Sequence, residues 1–211
     1  MKKYYLLFLS AIISGVAFSQ ENNAAATGDE FEAAFVPAKA GVGAMIVYTG
    51  ENHSFTIEIK GKDIKNNGQP NYLMVGDQIV QSAILPIPKK TEVENPPLVK
   101  QREILRTYIN YELDYFKNTL KQGYSNLKMD WEIVNGRQFV YWHFDMPKDD
   151  NKHVKKQIYV STICFNQILD LNAPVFDDYY KAKDILTQMA NSVKLYNSHL
   201  DVASMGALPK K

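Results

Sequence analysis

Met129-Asp130-Trp131-Glu132-Ile133-Val134-Asn135-Gly136-Arg137-Gln138-Phe139-Val140-Tyr141-Trp142-His143-Phe144-Asp145-Met146 is the stretch that decides the fold. Two β-rich arms flank Asn135-Gly136, the dipeptide best suited to the paired positive φ of a type I′ turn, so the stretch reads as an antiparallel hairpin. On the second arm Phe139, Tyr141, His143 and Asp145 fall on one face, while Gln138, Val140, Trp142, Phe144 and Met146 fall on the other. Both faces are substantially apolar or aromatic. The next arm behaves alike, with Ile158, Val160, Thr162 and Cys164 opposed to Tyr159, Ser161, Ile163 and Phe165. A sheet with one wet face would alternate cleanly between apolar and polar residues. This sheet is expected to be covered on both.

Two segments can supply the cover. Asn95 is a good N-cap and Pro96 suits the first helical position. Beyond them Leu98, Leu105, Ile109, Glu112, Phe116 and Leu120 fall along one helical strip, with Gly123 placed to close the helix. Tyr108, Tyr111 and Tyr115 recur at helical spacing and read as packing surface. A closing helix is capped by Asp177 or Asp178, with Tyr180, Ile185, Leu186, Met189 and Val193 as its inward strip.

The remaining elements are shorter. Phe55, Ile57 and Ile59 alternate with polar residues over 54–60, and Asn66-Asn67-Gly68 turns this arm back into 71–75. Residues 78–87 form a further apolar strand, bounded by Pro86 and Pro88. Ile168-Leu169-Asp170-Leu171 reads as a short strand stopped at residues 172–174. Layer logic then predicts an α+β fold, an antiparallel or mixed sheet with a helix layer on each face, as one domain over residues 45–198. Residues 20–44 are expected to be a flexible leader that joins the fold near 31–36, and 199–211 a tail.

Residues 1–19 read as a cleaved secretory signal: Lys2 and Lys3, an apolar run to Phe18, and the small residues Ala17 and Ser19 before Gln20. Their loss takes two lysines from 24 basic residues and none of the 23 acidic ones, leaving a formal charge of −1. Such balance provides no field for neutralising phosphates, so nucleic acid is not an expected partner. Lys89-Lys90, Lys155-Lys156 and Lys210-Lys211 are short pairs that suit solvated edges. After signal cleavage no run is long enough to span a bilayer, which points to the periplasm or the exterior. The single cysteine, Cys164, sits in a β-branched and aromatic run and reads as a buried thiol.

The order of elements resembles the PsbP-like α/β/α sandwich family: an early hairpin and strand, a long helix, a strand meander through Asn-Gly, then a closing helix. Asp184-Ile185-Leu186-Thr187-Gln188-Met189-Ala190-Asn191-Ser192-Val193 is similar to that family's final helix, which commonly ends in a Ser-hydrophobic pair. The likeness covers residues 50–196. It implies a non-enzymatic accessory or binding role.

Little in the residues points to catalysis. His53, His143, His153 and His199 are scattered, and no zinc, nucleotide, nucleophile-elbow or calcium motif occurs. Asp149-Asp150 with His153 reads as a solvated loop. The best local constellation is Tyr141, His143 and Asp145 on one strand face, with Trp131 and Glu132 across the hairpin. Two readings stand. One is a binding surface around Trp131, Tyr141 and Trp142, with His143 and Asp145 beside it, for another protein or an envelope component; an inhibitor or immunity protein is its narrower form. The other is a hydrolase whose base is His143 oriented by Asp145, for which a hydroxyl or thiol would still be needed. No metal and no cofactor is expected.

Overall fold

The computed structural model describes residues 29–38, 43–66, 68–87, 96–148 and 154–206. The chain begins with β1 (Glu32–Pro37), β2 (Ala44–Thr49) and β3 (Ser54–Ile59), then β4 (Ile64–Asn66), β5 (Tyr72–Val75) and β6 (Gln78–Pro86). Helix α1 (Leu98–Asp114) runs into a π-helical turn at Tyr115–Thr119. Next come β7 (Ser125–Val134), β8 (Arg137–Asp145), β9 (Lys156–Cys164) and β10 (Gln167–Val175), then α2 (Tyr179–Ser192) and β11 (Lys194–Tyr196).

Asn135 and Gly136 take φ of 50° and 76°, the backbone that a type I′ turn demands. They set Val134 opposite Arg137 and so fix the register of β7 on β8. Around this hairpin an antiparallel sheet of seven strands assembles in the order β4-β5-β6-β10-β9-β8-β7. Its two faces are both dry, as the double alternation of β8 and β9 requires. On one face Val140, Trp142, Phe144, Tyr159 and Ile168 pack against Leu105, Tyr108, Ile109 and Phe116 from α1 and its π turn. On the other, Phe139, Tyr141, Val160, Leu169 and Leu171 meet Ala182, Leu186, Met189 and Ala190 of α2. The fold is α+β, with a helix on each face of the large sheet. Each fully buried aliphatic or aromatic side chain contributes roughly 1.5–3 kcal/mol relative to exposure.

The second face carries more than a helix. β1-β2-β3-β11 form a separate four-stranded antiparallel sheet whose Ile46, Tyr48, Phe55, Ile57 and Ile59 join the α2 core. This corrects the expected hairpin. β3 does not turn back into residues 71–75, because the chain leaves it through Gly61 and Asp63, at φ of 152° and 55°, before the Asn-rich turn is reached. β3 pairs instead with β2 and β11, and the partner of β5 is the short β4. Residues 32–37, inside the stretch expected to be leader, form β1 and pair with β2 along their whole length.

Three smaller expectations also change. Helix α1 starts after Pro97 rather than at Pro96, without a side-chain cap, and Asn95 lies outside the described residues. The left-handed residue after its π turn is Lys121, at φ 52°, not Gly123. β10 runs through residues 172–174 to Val175: β6 stops pairing at Asn172, so Pro174 needs no donor on that side and pairs only with β9. In α2 the cap is Asp178, whose carboxylate accepts from the Lys181 N–H, but Tyr180 is 76% exposed. It precedes buried Ala182 by two residues and so points away from the core.

Candidate functional site

The pleat of β8 divides the residues singled out from the sequence. Trp142 faces α1 and is wholly buried. Its ring stacks on Tyr159 at 3.9 Å and 11°, and its indole N–H donates to Ser161 Oγ at 3.0 Å. It belongs to the core and to no surface. Trp131 shares that face but lies on the edge strand β7. Tyr141, His143 and Asp145 lie on the opposite face, toward α2. No single patch collects all five.

On the α2 face, Asp145 accepts from Asn126 Nδ2 at 2.6 Å and is ion-paired with Lys156. These bonds hold its carboxyl below the usual carboxylate range. No hydrogen bond joins it to His143. The His143 ring meets Tyr179 edge-on at 5.1 Å, and its Nδ1 is buried without a hydrogen-bond partner. Burial, then the charges of Lys156 and Lys128, keep the imidazole below its ordinary pKa, so it is neutral at pH 7. The Tyr141 phenol is pushed up to about 12 by burial and by Glu132, eased slightly by the nearby Thr187 hydroxyl, which stands outside hydrogen-bond geometry. Cys164 is fully buried and pushed up to about 12, so it stays a thiol. An imidazole that no carboxylate orients, without an activated nucleophile beside it, lacks two parts of a hydrolytic triad. Among the described residues no group of three His, Cys, Asp or Glu side chains could hold a metal; Asp149, Asp150 and His153 lie outside them.

The α1 face carries a different arrangement at its edge. Arg102 and Arg106, one turn apart on the solvent side of α1, reach over the Trp131 ring at 4.8 and 5.7 Å. A shallow open groove lined by Val99, Arg102, Glu103 and Arg106 runs beside them. Val99 is 78% and Ile133 61% exposed, so apolar side chains flank the stack. Neither arginine forms an ion pair among the described residues. Each cation–π contact contributes about 0.5–1 kcal/mol at such an exposed position, enough to bias the guanidinium planes. The clue in the sequence is the pair of arginines at i, i+4 on the polar strip of α1. Their meeting with Trp131 depends on where the helix crosses the sheet.

Beneath α1 lies a buried polar cluster. Ser161 Oγ donates to Asp170 Oδ1 at 2.5 Å, and Asn172 Nδ2 reaches Asp170 Oδ2 at 3.4 Å. Burial pushes Asp170 up to about 7 although Ser161, Asn172 and Tyr108 all favour its charged form. Burial and the Asp170 charge push Glu112 of α1 up to about 8. The phenols of Tyr108 and Tyr159 stand well above their ordinary values, burial first. Asp170 sits in an apolar strand and Glu112 on the inward strip of α1, positions where a carboxylate is out of place.

Fold and surface together define a class: an α+β protein whose large antiparallel sheet is closed by helices on both faces, with an arginine–tryptophan stack at one edge. No helix among the described residues is long and apolar enough to cross a membrane. No protein-family model matches the sequence, and no curated protein matches it. Among solved structures the chain is similar to the solution structure of cyanobacterial PsbP (CyanoP) from Synechocystis sp. PCC 6803. Identity is 10%, the alignment covers 84% of this chain and 99% of that one, and the TM-score is 0.44.

Proposed function

We propose that the chain is exported by residues 1–19 and acts outside the cytoplasm as a non-enzymatic binding protein, engaging another protein or an envelope component through the edge formed by α1 and β7. The observation that carries this reading is the stack of Arg102 and Arg106 on Trp131, flanked by exposed Val99 and Ile133. Tryptophan and arginine dominate the energetic centres of protein interfaces, and here they are held in place before any partner arrives, which lowers the ordering cost of binding.

The test is recovery of a partner from an envelope extract on the immobilised protein, compared with Trp131→Ala and with Arg102→Ala/Arg106→Ala. A partner retained by the wild type and lost by both variants, each with unchanged circular dichroism, supports the reading. A partner that both variants hold as well as the wild type, or no partner at all, rejects it.

A further inference from the structure

Among the described residues four strands border the two sheets. β4 and β11 are three residues long and β1 is six, but β7 is ten and most of its residues are exposed. The type I′ turn determines which of its backbone groups are already used. In a two-residue hairpin the residues beside the turn exchange both hydrogen bonds, and the pattern then alternates. With Val134 opposite Arg137, Glu132 opposite Phe139, Asp130 opposite Tyr141 and Lys128 opposite His143, the even-numbered residues turn their N–H and C=O groups toward β8. Leu127, Met129, Trp131 and Ile133 point theirs outward, unpaired within the sheet.

The side chains follow the same alternation. Leu127, Met129 and Trp131 lie partly buried on the α1 face, and Lys128, Asp130 and Glu132 stand exposed on the other. Edge strands are usually blunted by charged side chains, bulges or proline. On β7 the opposite charges Lys128 and Asp130 stand on either side of Met129, with a second acid at Glu132.

We infer that β7 pairs antiparallel with the β7 of a second copy about a two-fold axis at Met129, joining two seven-stranded sheets edge to edge. In this register Lys128 faces the second copy's Asp130, and by symmetry Asp130 faces its Lys128. On the other face Leu127 meets Trp131 twice, and Met129 meets itself. The outward backbone groups of residues 127, 129 and 131 then bond one another. Neighbouring registers fail on charge. An axis at Lys128 sets Lys128 against itself, one at Asp130 sets Asp130 against itself, and one at Trp131 sets Asp130 against Glu132. The bulge between Ser125 and Lys128, with Asn126 at φ 53°, ends the pairing at Leu127. Such an interface is isologous and closes on itself.

Sedimentation equilibrium of the purified protein over a range of micromolar concentrations tests this. The expected result is a monomer–dimer equilibrium. Lys128→Asp and Asp130→Lys each set like charges opposite one another twice and raise the dimer Kd about tenfold or more. Combining them exchanges the two charges and restores the wild-type Kd to within about threefold. Met129→Pro removes an outward N–H on the axis while sparing the bonds to β8, and abolishes the dimer without unfolding the hairpin, as read from circular dichroism. A protein that stays monomeric throughout overturns the proposal, as does a dimer that either single reversal leaves intact or that the double exchange fails to restore. The dimer shares the β7 edge with the proposed partner surface, but it is read by sedimentation of the purified protein alone. Partner capture is read from extract on the Trp131 and Arg102/Arg106 variants, so failure of one is told apart from failure of the other.

Discussion

The Ser161 hydroxyl donates to the Asp170 carboxylate at 2.5 Å, between residues that are 0% and 1% exposed. Trp142 donates in turn to that hydroxyl, so one oxygen joins the aromatic core under α1 to the acid. The bond favours the charged form of Asp170, while burial opposes it more strongly. Glu112, on the helix above, is held protonated by the same burial and by the charge on Asp170. The two acids therefore titrate as a pair.

This predicts stability that falls as pH rises. Both acids have folded pKa values, about 7 and about 8, above the ordinary range near 4 of the unfolded chain. Between those limits the folded state binds more protons than the unfolded state. Their contribution is fully present below about pH 4 and is lost as pH climbs through about 8. Urea denaturation of the wild type across this window should show a decline on the order of a few kcal/mol. Asp170→Asn should remove its own share and lessen that of Glu112, and Glu112→Gln should remove the share that burial of the glutamate sets. A wild-type slope that neither variant changes would refute the assignment.

Ser161→Ala isolates the bridging oxygen. It leaves the Trp142 N–H buried without an acceptor and removes a donor from Asp170, at a cost of about 1–3 kcal/mol at pH 5. Because the lost bond favoured the carboxylate, the Asp170 midpoint should also rise, and the decline in stability should extend to higher pH. Trp142→Phe keeps the ring stack on Tyr159 and frees only the acceptor side of Ser161. It should cost about 2–3 kcal/mol, from a small cavity and one hydrogen bond, with little change in the pH profile.

What could be read from the sequence depended on whether the information was local. Asn135-Gly136 specifies its turn by φ alone, so the hairpin and its register were legible. The two apolar alternations of β8 and β9 were enough to require cover on both faces. The second sheet was not legible. β3 carries the alternation of a half-buried strand, yet Ser54 and Thr56 are buried as well, and nothing in residues 54–60 names β2 and β11 as neighbours. Trp142 and Trp131 look equivalent in the sequence; only the position of β7 at the sheet edge separates a core residue from a surface one. Glu112 already stood in the inward strip of α1 and Asp170 in an apolar strand, but their proximity depends on the path of α1 over β10.

The turn itself offers a clean measurement of backbone strain. A Cβ added at Gly136 would meet nothing within 4 Å, so substitution there costs only the positive φ of 76°. Gly136→Ala should lower stability by about 1 kcal/mol, and Gly136→Asn, whose side chain tolerates this region, by less. Thermal melts of the two variants compare them directly. Equal losses would mean that something other than φ sets the cost.

His143 is the residue whose charge state the α2 face decides. Burial is the largest cause of its lowered pKa, followed by Lys156 and Lys128, with Asp145 and Asp130 acting in the opposite direction. Lys156→Gln removes a cation and also frees Asp145 from its ion pair, so both consequences favour the imidazolium. The His143 midpoint, followed by the ring-proton shifts in NMR, should rise. Asp145→Asn removes an attractive charge and should move the same midpoint down. The folded pKa of His143 is depressed, so the neutral ring contributes stability that is present above about pH 6.5 and lost as pH falls through the folded value. That sign is opposite to the one set by Asp170 and Glu112. His143→Gln should therefore steepen the gain in stability that the wild type shows on acidification below about pH 6.5, and a variant whose profile parallels the wild type there would show that the imidazole is not held neutral by its surroundings.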